Sequence, residues 1–167
     1  LMSTAIVLSR ASMGLDAPDV CVEVHLSNGL PSFTIVGLPE STVREARERV
    51  RSALQTSHFE WPDFRITVSL APAELPKGGG RFDLPIALGL LVASGQLPAT
   101  AVLNREFYGE LGLDGGLRPA RGLLSAVRAC TAVQRQCVVP ALQAGWLAGI
   151  PGSQVLTADN LLALCGL

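Results

Sequence analysis

Lys77 is the only lysine among 167 residues, and it stands directly before Gly78-Gly79-Gly80. A phosphate-binding P-loop needs its lysine after the glycines and a Ser or Thr behind it, so that ammonium and hydroxyl meet phosphate and magnesium. Gly78 follows Lys77 instead, and no such site is written here. The run could still act as a backbone nest for an anion at a helix N-terminus. Asp83, however, puts a negative charge where that anion would sit, which leaves the glycines a conformational use.

Nucleophilic catalysis fares no better on residue types. The two histidines, His25 and His58, lie beside Ser27 and Ser57, but in no Gly-x-Ser-x-Gly context that would set a base against a nucleophile. Glu106 and Glu110 are spaced like ordinary surface carboxylates rather than a general acid and base. Cys21, Cys130, Cys137 and Cys165 form no C-x-x-C pair and no metal-ligand rhythm, so they read as buried free thiols of a reducing compartment. Residue chemistry alone points to a noncatalytic domain. One charged constellation stands out: Arg44, Arg47 and Arg51 fall in a row, three and four apart. A solvated helix face is the plain reading, and a contact for phosphate or a neighbouring subunit is the sharper one.

The elements that carry these residues follow from periodicity. Ala5–Leu8, Val20–Leu26 and Phe33–Val36 alternate as strands; Val20, Val22, Val24 and Leu26 share one face, and His25 lies on the polar one. Ser27-Asn28-Gly29 supplies a turn expected to join the second strand to the third. After Gly37-Leu38-Pro39 the period changes. Val43, Ala46, Val50, Ala53 and Leu54 draw one apolar stripe, with Thr42 and Glu45 as a capping box and Glu45 to Arg49 as an i,i+4 pair. Arg65–Leu70 alternates again. Asp83 is expected as N-cap of a nearly all-apolar helix, Leu84–Ser94, which must be buried between layers.

Beyond it, Phe107–Leu111 runs through Asp114-Gly115-Gly116 into Leu117 as a hairpin, and Leu123–Ala132 is a helix with Leu123, Leu124, Val127 and Cys130 as its stripe. Cys137–Val139 and Gln154–Leu156 are short strands. Ala141–Leu147 is a short helix, and Asp159 is expected to cap a last one through Leu164. Strands first, then alternating helix and strand, argue an α+β fold with a two-layer mixed sheet and helices. A hydrophobic share of 49% with 16% charged residues excludes a disordered chain. A net charge of -1 removes any bulk attraction to nucleic acid or anionic lipid, so such contact must come from a local patch. The longest nonpolar run, Leu84–Ala93, is far short of the roughly 20 residues that span a bilayer, and Leu1–Leu8 lacks the basic start of a signal peptide.

Several segments together have a specific likeness. They are Ser9-Arg10-Ala11-Ser12 with Gly14-Leu15, Val22-Glu23-Val24-His25-Leu26-Ser27-Asn28-Gly29-Leu30-Pro31, and Phe33-Thr34-Ile35-Val36-Gly37-Leu38-Pro39. To these add Arg49-Val50-Arg51-Ser52-Ala53-Leu54, Ile66-Thr67-Val68 with Leu70-Ala71-Pro72-Ala73, and Gly80-Arg81-Phe82-Asp83-Leu84-Pro85-Ile86-Ala87. From about Ala5 to Cys165 the chain resembles the N-terminal domain of the ComM/YifB family, the magnesium-chelatase-like AAA+ ATPases of bacteria. The resemblance implies one domain over residues 3–167, with a fold like the Lon protease proteolytic domain in the ribosomal protein S5 domain 2-like class. It also implies an AAA+ motor outside these residues, in a hexameric helicase that drives branch migration during DNA recombination and natural transformation. ATP and magnesium would belong to that motor, with no cofactor here. The expected partners are the protein's own motor, further copies in a hexamer, and DNA, in the cytoplasm and without a membrane.

Lon-like proteases use a Ser-Lys dyad, in which the lysine takes the serine proton. Where they have Pro-Lys-Asp-Gly-Pro-Ser-Ala-Gly, this chain has Pro76-Lys77-Gly78-Gly79-Gly80-Arg81-Phe82-Asp83, and Arg81 falls at the serine. Where they have Gly-Gly-Leu-Lys-Glu-Lys, Gly122-Leu123-Leu124-Ser125-Ala126 offers Leu124 and Ala126 at the lysine positions. The resemblance therefore implies a protease scaffold without its dyad. Arg44, Arg47, Arg51, Lys77 and Arg81 are the expected contacts for DNA or a neighbouring subunit. Two rivals remain: a Lon-like peptidase with an unconventional nucleophile such as Ser125 or Cys130, and a plain RNA-binding module.

Overall fold

The structure is a computed structural model, and it describes residues 2–167. A nine-residue strand, Met2–Arg10 (β1), pairs antiparallel along its whole length with Asp19–Ser27 (β2). Ser32–Ile35 (β3) does not fold back on β2 as the turn at Asn28-Gly29 suggests. The helix Glu40–Thr56 (α1) carries the chain across the sheet, and Arg65–Ala71 (β4) enters between the two, antiparallel to β2 and parallel to β3. A parallel neighbour needs such a crossover, and nothing in the local turn reveals which strand will fill the gap.

The helix Asp83–Ala93 (α2) follows, then Arg105–Phe107 (β5), a small hairpin of Glu110–Leu111 (β6) with Leu117–Arg118 (β7), and the helix Leu123–Ala132 (α3). Gln136–Pro140 (β8), the helix Ala144–Leu147 (α4), Val155–Ala158 (β9) and the helix Leu161–Cys165 (α5) complete the described chain. The main sheet has seven strands in the order β3-β4-β2-β1-β5-β8-β9. Its first half is antiparallel apart from β3, and its second half is parallel.

Why these residues fold this way is legible in burial. On α1 the buried side chains are Val43, Ala46, Val50, Ala53 and Leu54, the whole predicted stripe. Almost every residue of α2 is buried, so it lies as a layer across β1 and β2. Leu84, Ile86, Leu88, Leu90 and Leu91 there each contribute roughly 1.5–3 kcal/mol of transfer free energy. Alternation along β8 sorts the rest: Val138 joins the core under α1 and α2, while Cys137 and Val139 join Leu123, Val127 and Leu147 of α3 and α4. The two faces of β8 thus serve two cores, the main one that α1 and α2 enter and a smaller one with α3 and α4.

Local expectations fail in instructive ways. The capping box at Thr42 and Glu45 does not form, because α1 begins earlier, after Pro39. Asp83 is the first helical residue of α2 rather than its cap, because Arg49 draws its carboxylate away. The same contact removes Arg49 from the Glu45 pair. Asn160, not Asp159, caps α5, its Oδ1 accepting from Ala163 N at 2.8 Å. The expected strand Phe107–Leu111 is broken in two at Gly109, whose φ of +133° turns the chain out of the sheet. Leu124 is 46% exposed, and Ala126 takes its place in the stripe of α3. Cys130 and Cys137 are buried, but Cys21 and Cys165 are only partly so.

Candidate functional site

The glycine run lies at the mouth of an open cleft of about 640 Å³, lined by Ser12, Gly78, Gly79, Gly80, Arg81, Glu110 and Arg121 among others. A second lobe of about 330 Å³ continues past Gly80 and Glu110 to Arg49, Asp83, Gly112 and Arg118. A Cβ on Gly80 would stand 3.1 Å from Glu110 Oε1 and 3.2 Å from Asp83 Oδ2, so glycine here lets two carboxylates close on the backbone. Arg49 answers them from α1: its Nε donates to Asp83 Oδ2 at 2.5 Å and its Nη2 to Oδ1 at 3.2 Å and to the Gly79 carbonyl at 3.3 Å. Burial, only partly offset by Arg49, pushes the Asp83 carboxyl up to about 6. The N-terminus of α2 is therefore already occupied by an internal ion pair.

Arg81 spans the cleft floor. Its Nε donates to the Arg10 carbonyl and its Nη1 to the Arg121 carbonyl, both at 2.9 Å. The residue at the serine position thus ties the start of α2 to the segment just before α3, where the lysine would stand. Burial lowers the Arg81 pKa, and Glu110 with Tyr108 opposes that. Leu124 points outward and Ala126 is fully buried, so neither presents a base. Lys77 Nζ donates to the Leu75 carbonyl at 3.1 Å, folding back on its own loop.

Arg44, Arg47 and Arg51 of α1 lie elsewhere, along the groove between that helix and β3. Arg44 is 3.7 Å from Glu40, and Arg47 lies 3.5 Å from Glu48. Arg47 and Arg51 flank Pro31, Ser32, Phe33 and Trp61, whose two rings stand 5.7 Å apart. The structure brings this row together on one surface and keeps it apart from Lys77 and Arg81 at the cleft.

Sequence reading missed the densest polar cluster. Glu106 is fully buried and accepts from Arg10 Nε at 2.7 Å and Nη2 at 3.2 Å, from Arg135 Nη1 at 3.0 Å, and from the Tyr108 hydroxyl. Burial would raise its pKa, but Arg10, Tyr108 and Arg135 outweigh that and hold it below the usual carboxylate range. Tyr108 is pushed far up, by burial first and then by Glu106. One signal was available: Glu106 directly precedes an aromatic pair in a strand otherwise destined for the core. The rival nucleophiles have no support in this arrangement. Cys130 is buried, its Sγ lies 3.4 Å from the Arg135 carbonyl, and contact with Cys137 followed by burial pushes its thiol well up; Ser125 has no side-chain partner among the described hydrogen bonds.

This sheet and its cleft are built by a sequence of a known class. The family model for subunit ChlI of Mg-chelatase matches residues 22–143. The chain therefore belongs to the magnesium-chelatase ChlI-like family that includes ComM and YifB. It is 52% identical over 161 residues to the competence protein ComM of Haemophilus influenzae and 49% identical over 164 residues to the uncharacterized protein YifB of Escherichia coli. To the uncharacterized protein Mb2921c of Mycobacterium bovis it is 38% identical over 160 residues. These matches take in 96%, 98% and 96% of this chain but only 32%, 32% and 29% of the relatives, so the chain spans less than a third of their length. No helix among the described residues is long and apolar enough to cross a membrane.

Proposed function

We propose that this chain is the noncatalytic N-terminal, Lon-like domain of a ComM-like AAA+ ATPase that drives branch migration in recombination and natural transformation. Its work there is to support assembly of the hexamer and to engage DNA. What carries the reading is the 52% identity, along 96% of the chain, with a protein named for competence. The tied guanidinium of Arg81 supports the noncatalytic part, since a group locked onto two carbonyls neither attacks nor takes a proton. ATP and magnesium act in the motor of the longer cytoplasmic protein. Here the glycine loop has no Lys-Ser/Thr pair, and Arg49 and Asp83 fill the helix start.

DNA meets the row of Arg44, Arg47 and Arg51, where the neighbouring Trp61 offers a ring for stacking. Lys77 adds a cation at the cleft, and Arg81 contributes by fixing the loop that carries it. A ring adds such weak contacts from each subunit. The test uses the protein at the length of its relatives, in three forms: unchanged, lacking residues 3–167, and with Arg44→Glu, Arg47→Glu and Arg51→Glu. The deletion is expected to lose the hexamer in sedimentation and to lose branched-DNA unwinding. The charge reversal is expected to keep the hexamer, with the slope of log affinity against log salt flattened by about 0.9 for each phosphate no longer neutralised. Unaltered DNA affinity and salt slope in the triple variant would remove the arginine row from the proposal.

A further inference from the structure

The sheet has a gap beside β1. On one side β1 pairs with β2 from Met2↔Ser27 to Arg10↔Asp19, whereas on the other only Leu8 has a partner, Glu106 of β5. The short β5 begins at Arg105, so Met2–Val7 have no strand neighbour on that side among the described residues. Unpaired backbone groups along a strand edge are a template for another extended segment. The gap opens into a groove of about 490 Å³, walled by Thr4, Ala5, Ile6, Val92, Val102 and Leu103. Among the described residues no charged one lines it. Ile6 is 52% and Leu103 71% exposed, which leaves large apolar side chains bare at its rim.

The described chain starts and stops at this groove. Met2 opens the strand that forms one wall, and the Leu167 carbonyl lies 3.4 Å from Arg105 Nη1, next to Asn104 of the other wall. The relatives are about three times as long as the matched stretch, which is 32% of ComM.

We propose that the groove receives an extended, uncharged apolar segment from the remainder of the same polypeptide, added as a strand along Met2–Ile6. Main-chain hydrogen bonds to the edge hold it, and its alternate side chains fill the pocket between Ile6 and Leu103. Tethering makes the pairing intramolecular, so a groove of modest size suffices. The inference rests on reading the chain as one domain of a longer protein, and it is independent of any DNA contact.

Amide hydrogen exchange tests it in the protein at its relatives' length, with the 167-residue chain for comparison. The β1 amides turned away from β2 are expected to exchange about tenfold or more slowly in the longer protein. Leu103→Asp, at a site exposed enough to leave folding intact, should abolish that protection while β2 and β4 keep theirs. Equal rates in the two proteins would overturn the proposal, as would protection that survives Leu103→Asp. Protection that appears in the 167-residue chain as its concentration rises would assign the groove to a second copy and overturn it equally. If β1 is protected but neither a hexamer nor DNA binding is found, the functional reading falls and the groove assignment stands.

Discussion

Asp83 and Glu106 are both buried carboxylates paired with arginine, yet their environments push them in opposite directions. Around Glu106 three donors converge, so ionisation is favoured, and its stabilising contribution is kept above the usual carboxylate pKa and lost as pH falls through the lowered folded value. Asp83 has one arginine and faces Glu110 across Gly80, so burial wins and its folded value rises from 3.8 to about 6. A raised carboxyl holds its proton longer in the folded state than in the unfolded one. Its contribution to stability therefore falls as pH rises through the window from about 4 to 6, by up to about 3 kcal/mol across the whole shift. Asp83→Asn, which keeps the shape and removes the charge, should flatten that part of the stability–pH profile measured by urea denaturation. Carboxyl-carbon NMR of the unchanged protein should give a midpoint near 6 at this residue, and a midpoint at or below the usual carboxylate value of about 4 would show that Arg49 cancels or outweighs burial.

The elements themselves were largely written in the sequence. The five-residue stripe of α1, the alternation of β2 and β4, and the apolar run of α2 are one-dimensional patterns, and each element formed where its pattern lies. Illegible were the facts that depend on which element meets which: β4 entering between β2 and β3, Arg49 leaving Glu45 for Asp83, and Arg10 reaching Glu106 across 96 residues. Gly89 belongs to that second group. In sequence it is one small residue in an apolar helix, but a Cβ there would stand 2.5 Å from Val24 Cγ2 and 3.1 Å from Val24 Cβ, so α2 approaches β2 on glycine alone. Alanine has the better helix propensity, by up to about 1 kcal/mol. Overpacking of the helix–sheet contact costs about 1–3 kcal/mol. Gly89→Ala should therefore be net destabilising by about 1–2 kcal/mol in chemical denaturation, and a gain in stability would mean that α2 can shift away from the sheet.

At the scale of the molecule, an antiparallel half meets a parallel half at β1 and β5, and a single rung, Leu8↔Glu106, joins them through the sheet. Side chains reinforce the seam. Ser9 Oγ donates to the Phe107 carbonyl at 2.7 Å, Arg10 clamps Glu106 from the first half, and Arg135 reaches the same carboxylate from the turn before β8. Arg10 also holds the Ala17 carbonyl at 2.9 Å and Asp19 at 2.9 Å, so the loop between β1 and β2 is drawn to the same point. Removing one partner of a buried pair leaves the other charge uncompensated and typically costs about 3–5 kcal/mol. Glu106→Gln preserves shape but leaves Arg10 with only the exposed Asp19 as counter-charge, and a loss at the lower end of that range, about 3 kcal/mol, is expected in urea denaturation. The damage should also be uneven. α2 packs on β1 and β2 without help from Glu106, whereas the strand pairing of β5, β8 and β9 to the first half runs through this seam. Amide exchange in Glu106→Gln should accelerate most in β5, β8 and β9 and least in β2 and β4. Uniform acceleration across all the strands would mean that the two halves unfold as one unit and that the carboxylate does not govern their union.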